Sequence, residues 1–250
     1  MDTNKALSKV AKITVLFWLL KIIGTTLGET LGDYISMTLD LGYAIGIGIT
    51  LLVFLTVLIL QLYSRKHIPL LYWSVIIATT TLGTEISDFI DRSLHMGYAS
   101  GTLLLAFCLG LTLLIWFKKY KNLEVFPIAE RTKELYYWIA ILFSNSLGTA
   151  FGDFLSDNLG LGYLYGAIIT GSIILLVVML HYLTKINHIL LFWIAFIFTR
   201  PFGATFGDFL TKPSAKGGLD FGRLTSSLIA MALMLLLIYL SKNKTKNKVS

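Results

Sequence analysis

One short pattern recurs four times along this chain: a tryptophan followed fifteen residues later by the aspartate that closes G-x-x-x-[GS]-D. The copies are Trp18 with GETLGD (28–33), Trp73 with GTEISD (83–88), Trp138 with GTAFGD (148–153) and Trp193 with GATFGD (203–208). A fixed period of this length makes each copy one supersecondary unit that buries its inner face only by stacking on its neighbours. The tryptophans are spaced by 55, 65 and 55 residues, and the ten extra residues fall in the charged stretch KKYKNLEVFPIAERTKE (118–134). A two-helix unit duplicated twice, with a basic linker between the halves, accounts for that spacing.

The residues around each motif are too apolar for an ordinary soluble domain. With 56% hydrophobic residues, 14% charged residues and a mean hydropathy of +0.76, the chain consists of runs about as long as a bilayer is thick. We expect an all-α membrane protein forming a single domain over 1–250. Its eight transmembrane helices are placed at about 10–36, 43–63, 69–91, 97–118, 134–157, 162–183, 189–211 and 221–241. They form four repeats, 10–63, 69–118, 134–183 and 189–241, with 118–134 as a cytoplasmic linker. Two helices per repeat make successive repeats parallel rather than inverted.

Orientation follows from the basic residues. Fifteen of the 21 Lys and Arg fall in the two tails and the loops after the second, fourth and sixth helices. Arg92, Lys212, Lys216 and Arg223 fall on the opposite side, and Lys21 and Arg200 lie within helices. The positive-inside rule therefore puts both termini in the cytoplasm. A net charge of +7 distributed in this way excludes a nucleic-acid patch. The partners expected are a lipid bilayer and a small cation or proton, not nucleic acid. The single Cys108 allows neither a disulfide framework nor a thiolate metal site. The absence of a phosphate loop, an HExxH motif or a nucleophile–base pair argues against an enzyme.

Two stripes run along each odd-numbered helix. Small residues recur every fourth position: Gly24, Gly28, Gly32; Thr79, Gly83, Ser87; Ser144, Gly148, Gly152; Thr199, Gly203, Gly207. Such stripes let helices approach closely in lipid, so these glycines are read as packing residues. One position later runs a polar stripe: Thr25, Glu29, Asp33; Thr80, Thr84, Asp88; Asn145, Thr149, Asp153; Arg200, Ala204, Asp208. Residues four apart share a helix face, and charge avoids lipid, so these stripes are expected to meet inside the bundle.

The candidate cation- or proton-binding residues are Glu29, Asp33, Glu85, Asp88, Asp153 and Asp208, supported by Thr84, Asn145, Thr149 and Arg200. With only Lys21 and Arg200 as internal bases, six acids call for protons or a metal ion as compensation. A bound divalent cation is the candidate cofactor, with Glu29, Asp33, Asp88 and Asp153 as ligands, because all-oxygen donors suit Mn²⁺, Ca²⁺ or Mg²⁺. Most negative charge lies in the first half of the chain, which focuses the site on Glu29, Asp33, Glu85 and Asp88 with Arg200 as counter-charge. The tryptophans are read as anchors at the inner membrane interface, and Asp91 and Asp157 as water-facing helix ends. The tyrosines Tyr43, Tyr98 and Tyr163 either bond to the acids or sit in the aromatic belt.

The fourfold Trp and G-x-x-x-[GS]-D pattern resembles the bacterial membrane-protein family built from four tandem copies of a repeat of unknown function. That resemblance covers essentially the whole chain. It implies two helices per repeat and a multi-pass protein of the bacterial cell membrane, with no activity attached. A looser similarity is to cation/proton exchangers carrying E-x-G-D-[KR]-[ST], although Glu29 and Asp33 stand in E-x-x-G-D with no base following. The expected function is transport of a divalent cation, or proton-coupled transport. The alternative is a non-transporting scaffold, sensor or accessory subunit whose acids are structurally paired.

Overall fold

The computed structural model describes residues 8–246, and it is all-helical there. Lys5 and Lys248, two of the basic residues that set the orientation, lie outside the described residues. Eight long helices follow the repeat: α1 Val15–Asp33, α2 Gly42–Tyr63, α3 Pro69–Asp88, α4 Tyr98–Tyr120, α5 Arg131–Asp153, α6 Gly162–Leu183, α7 His188–Thr211 and α8 Arg223–Lys246. The expected boundaries hold to within a few residues, apart from the starts and ends that π-helical turns, caps and the C-terminal extension of α8 move.

Local chemistry explains where these helices start. The Thr14 hydroxyl accepts from the Phe17 amide, capping α1; Pro69 occupies the first turn of α3; and the Asn187 side chain accepts from the Ile189 amide at α7. Beyond the motif aspartate, the first three odd helices widen into single π-helical turns, Tyr34–Thr38, Phe89–Ser93 and Phe154–Asn158. The chain then reverses through a left-handed residue and, two positions on, a left-handed glycine. The left-handed residues are Asp40, His95, Gly160 and Asp220, and the glycines Gly42, Gly97, Gly162 and Gly222. The Gly of each Gly-Tyr motif, and of Gly222-Arg223, thus serves the turn, since a positive φ is costly with a Cβ.

The odd helices form a closed inner ring: α1 packs on α3, α3 on α5, α5 on α7 and α7 back on α1. Each even helix lies outside, against the inner helix of the next repeat: α2 on α3, α4 on α5, α6 on α7, and α8 on α1. The four repeats are thereby interleaved. Burial divides the same way: in their most apolar stretches α1 and α7 are 61% buried, whereas α2, α4, α6 and α8 are 22–28% buried. Outer faces bearing Leu52, Leu103, Leu175 and Ile229 are largely exposed, the pattern expected of a surface meeting hydrocarbon.

The two stripes interlock around the ring. The glycine stripe of each inner helix receives the polar stripe of the next. A Cβ on Gly32 would lie 2.9 Å from Cβ of Thr84, and one on Gly83 would lie 3.0 Å from the Ser146 amide nitrogen. Cβ atoms on Gly28, Gly148 and Gly203 would overlap Thr80, Arg200 and Thr25 outright, and Gly152 and Gly207 seat Ala204 and Glu29. The glycines therefore hold the polar side chains at the axis.

Among the described residues, six helices (α1 with its π turn, α2, α4, α6, α7 and α8) are by themselves long and apolar enough to cross a membrane. The inner helices α3 and α5 fall short because they spend positions on buried polar residues, among them Thr79, Thr80, Thr81, Glu85 and Asp88 in α3 and Glu134, Ser144, Asn145 and Asp153 in α5. The tryptophans are not interfacial anchors in general. Trp73, Trp138 and Trp193 are buried, and only Trp18 is half-buried. They pack in an aromatic core with Phe17, Tyr72, Trp116 and Phe192, at ring distances of 5.2–5.8 Å.

Candidate functional site

The ring brings the polar stripes together in three layers, which follow the helices from their C-terminal ends inward. The first layer holds the four motif aspartates, Asp33, Asp88, Asp153 and Asp208, each at most 3% exposed. Burying four carboxylates requires counter-charge, and three bases supply it. Arg92 reaches Asp153 at 2.9 Å and Asp88 at 3.5 Å. Lys212 reaches Asp33 at 2.8 Å and Asp208 at 3.0 Å. Arg223, which stands where other outer helices carry tyrosine, comes within 3.3 Å of Asp33 and also donates to Thr38. Arg92 and Lys212 sit four residues after Asp88 and Asp208, while Met37 and Asp157 hold that position in the other repeats. Repeats two and four thus carry the base, and each base bridges to the aspartate of the following repeat. The fourfold arrangement of helices carries a twofold pattern of charge.

The second layer is built on Arg200, which is fully buried. Its Nη2 lies 2.8 Å from Glu29 Oε2, 2.5 Å from Thr84 Oγ1 and 2.6 Å from Thr149 Oγ1, so one guanidinium joins four helices. The third layer is Lys21, Asn145 and Thr79: Lys21 Nζ donates to Asn145 Oδ1 at 3.0 Å, and Asn145 Nδ2 donates to Thr79 at 3.1 Å. Lys21 also lies 4.0 Å from the Phe196 ring centre. It pairs with an amide and a ring face, not with the acids that were expected to need it.

The acids do not form one group. Glu29, Asp33 and Asp208 each bring a carboxylate oxygen within 4.8 Å of the others, between α1 and α7, which are neighbours in the closed ring. Of the four expected metal ligands, Glu29 and Asp33 belong to this cluster, whereas Asp88 and Asp153 share Arg92 on the other side. Glu85 belongs to neither. It is one residue past Thr84, and its carboxylate lies against Gly46 of α2. Asp91, expected to face water, is buried, with Ser87 3.4 Å from its carboxylate; Asp157 is exposed as expected. The tyrosines divide: Tyr43 accepts from Arg92 at 3.1 Å, Tyr98 donates to Asp157 at 3.4 Å, and Tyr163 is buried.

Arg92, Lys212 and Arg223 were missed as site residues because each sits at a helix end, where it counts toward loop charge. The i,i+4 spacing of Asp88–Arg92 and Asp208–Lys212 was the available signal. A second buried network was also missed, at the opposite end of the ring. Glu134, fully buried, is ion-paired with Lys9 and accepts from Gln61 at 2.8 Å and from the Trp138 indole at 3.4 Å.

The closed ring with its buried ion-pair axis and apolar outer surface defines a membrane-type helical repeat protein. The chain belongs to the family described as Repeat of Unknown Function (DUF347), whose model matches four times, at residues 16–67, 71–122, 136–187 and 191–245. Each match spans one inner helix and the outer helix that follows it. No curated protein and no solved structure matches the chain.

Proposed function

We propose that this is a multi-pass protein of the bacterial inner membrane in which all eight helices cross the bilayer with both termini cytoplasmic, and that it carries a small hard cation or protons along its axis. Every inner helix, α3 and α5 included, is shielded by its neighbours, so low hydropathy is no bar to spanning. The observation that carries the reading is the seat of Lys212. Its ammonium sits between Asp33 and Asp208, and the three carboxylates of Glu29, Asp33 and Asp208 converge there. A primary ammonium on a flexible stem is a tethered cation that a free one can replace. Asp208 Oδ1, buried and held at 3.0 Å by Lys212, is the oxygen that departure of the ammonium would offer to an incoming cation.

In this mechanism Lys212 swings out toward the outer surface as a cation or proton takes its place. All-oxygen donors favour Mn²⁺, Ca²⁺ or Mg²⁺ over softer metals. Beneath the seat, the fixed charge of Arg200 opposes free passage of a cation, so the arrangement suits a carrier more than an open channel. The cation is cargo; no resident cofactor and no enzymatic step enters the reading. On the other side of the axis, Asp88 and Asp153 share one arginine, which leaves a carboxylate in excess and a place for a proton.

The test is a thermal-unfolding screen of detergent-purified protein against Mn²⁺, Ca²⁺ and Mg²⁺. Binding to the folded state alone stabilises by about 2.7 kcal/mol at a hundredfold excess over Kd. Stabilisation by a hard cation in wild type that is lost in Asp208→Asn supports the reading. No shift with any of the three, at any pH tested, favours the second reading, a non-transporting scaffold, sensor or accessory subunit. The pairing of all five axial carboxylates with bases within 3.5 Å is the observation on that side.

A further inference from the structure

Of the six candidate acids, Glu85 is the one that the axis does not use. A step of one residue along a helix turns a side chain by about 100°, so where Thr84 points to Arg200, Glu85 points to α2. Its equivalents in the other repeats are Thr30, Ala150 and Thr205. Thr30 shares a hydrogen bond with Ser227 of α8, and Thr205 packs on Gly166 of α6. The glycine at the facing position of α2 makes room for something larger: a Cβ on Gly46 would come within 2.6 Å of Glu85 Oε2. The carboxyl is completely buried, and neither oxygen has a hydrogen-bond partner.

A carboxylate in this position, ionised, would be an unpaired charge among apolar helices, which costs far more than protonating it. The ionisable groups that act on it from α1 are Asp33 and Glu29, both acids and unable to pair with it. From α2 the nearest titratable group in sequence is Tyr43, whose hydroxyl is taken by Arg92. On α3 itself, Asp88 is bound to Arg92 at the axis.

A lipid-side groove lies close by. It has a volume of about 320 Å³ between α8, α1, α2 and α3, and its walls include Thr81 and Thr50. Thr81 stands one turn before Glu85 on α3, and Thr50 one turn after Gly46 on α2. The groove therefore ends one helical turn short of the carboxyl.

We propose that Glu85 is a proton-binding site separate from the axial cluster, held as the neutral acid between α2 and α3 and approached from the lipid side. It loses its proton only when α2 parts from α3 and water reaches it. This does not depend on axial transport: a protein that moves nothing through its ring retains the site.

The probe is dicyclohexylcarbodiimide, a lipophilic reagent that adds a protonated carboxyl across one N=C bond. The carboxyl oxygen bonds to the central carbon and the proton passes to nitrogen. Acyl migration to nitrogen then leaves a stable N-acylurea, with no oxidant and no leaving group. For the full-length protein in liposomes, we expect Glu85 to be the labelled residue by peptide mass, with labelling falling as the pH is raised. Absence of the adduct at Glu85, or an adduct whose yield ignores pH, overturns the proposal. Infrared spectroscopy supplies a second reading. The carbonyl stretch of protonated carboxylic acid in wild type should lose intensity in Glu85→Gln, and an unchanged band is contrary to the proposal. Wild-type labelling against pH needs no variant, so a poorly folding Glu85→Gln leaves the test intact.

Discussion

Replacing Arg200 with methionine isolates the energetics of the axis. The guanidinium is fully buried and is the ion-pair partner of Glu29, itself 3% exposed, at 2.8 Å. Losing it leaves a buried carboxylate with no base and removes the common donor of Thr84 and Thr149. Breaking a buried pair from one side costs about 3–5 kcal/mol, whereas replacing both partners with apolar groups is often neutral or stabilising by about 1–4 kcal/mol. Arg200→Met should therefore destabilise by about 3–5 kcal/mol, and Glu29→Met/Arg200→Met should recover most of that loss. The assay is equilibrium unfolding in mixed detergent micelles, followed by helical circular dichroism for the four members of the cycle. Additive single and double effects, or a single variant within about 1 kcal/mol of wild type, would refute a ring held through this pair.

Three further outcomes follow from the packing and the charges. Gly148→Ala places a Cβ against the Arg200 stem and should cost about 1–3 kcal/mol by overpacking, measured in the same unfolding assay; Gly48→Ala, where nothing lies within 4 Å, should be nearly silent. Arg92→Met removes the base between Asp88 and Asp153; with the side chain 28% exposed, the loss should be about 1–3 kcal/mol, and Asp153→Asn in that background should recover part of it. For Lys212, burial disfavours the ammonium, but Asp208 and Asp33 outweigh it and raise its pKa above the ordinary 10.5. A raised folded-state value means that its stabilisation is complete below about pH 10.5 and is lost as the pH climbs through the folded value. Stability measured from about pH 8 to about pH 11 should fall less steeply at the alkaline end in Lys212→Met than in wild type, and parallel curves would count against the bridge.

Much of the fold is legible in the chain because the repeat is periodic at two scales. The Trp-to-Asp interval marks the four units, and the adjacent small and polar stripes state which face is packed and which is charged. What the stripes do not reveal is that the ring closes, so that Asp33 at one end of the chain meets Asp208 at the other. A reading weighted to the first half groups Glu29 and Asp33 with Asp88, when their neighbour is α7. Charges at helix ends are ambiguous for a similar reason. Arg92, Lys212 and Arg223 look like loop residues until the ring is assembled, yet they compensate the aspartates more fully than Lys21 and Arg200 together. Tryptophan is equally double-valued, since near the end of an apolar segment it reads as a membrane anchor, yet Trp73, Trp138 and Trp193 are core. Glu85 differs from Thr84 by a single position, and that step turns it away from the axis.

Uptake of Mn²⁺ into proteoliposomes, with a pH-sensitive dye to follow protons, tests the central claim that the carboxylates around Lys212 exchange it for a mobile ion. The account predicts Mn²⁺ or proton flux with the wild-type protein and its loss in both Asp33→Asn and Asp208→Asn, each still folded by circular dichroism. Wild-type vesicles as silent as empty ones, or both variants carrying ions at the wild-type rate, would contradict it.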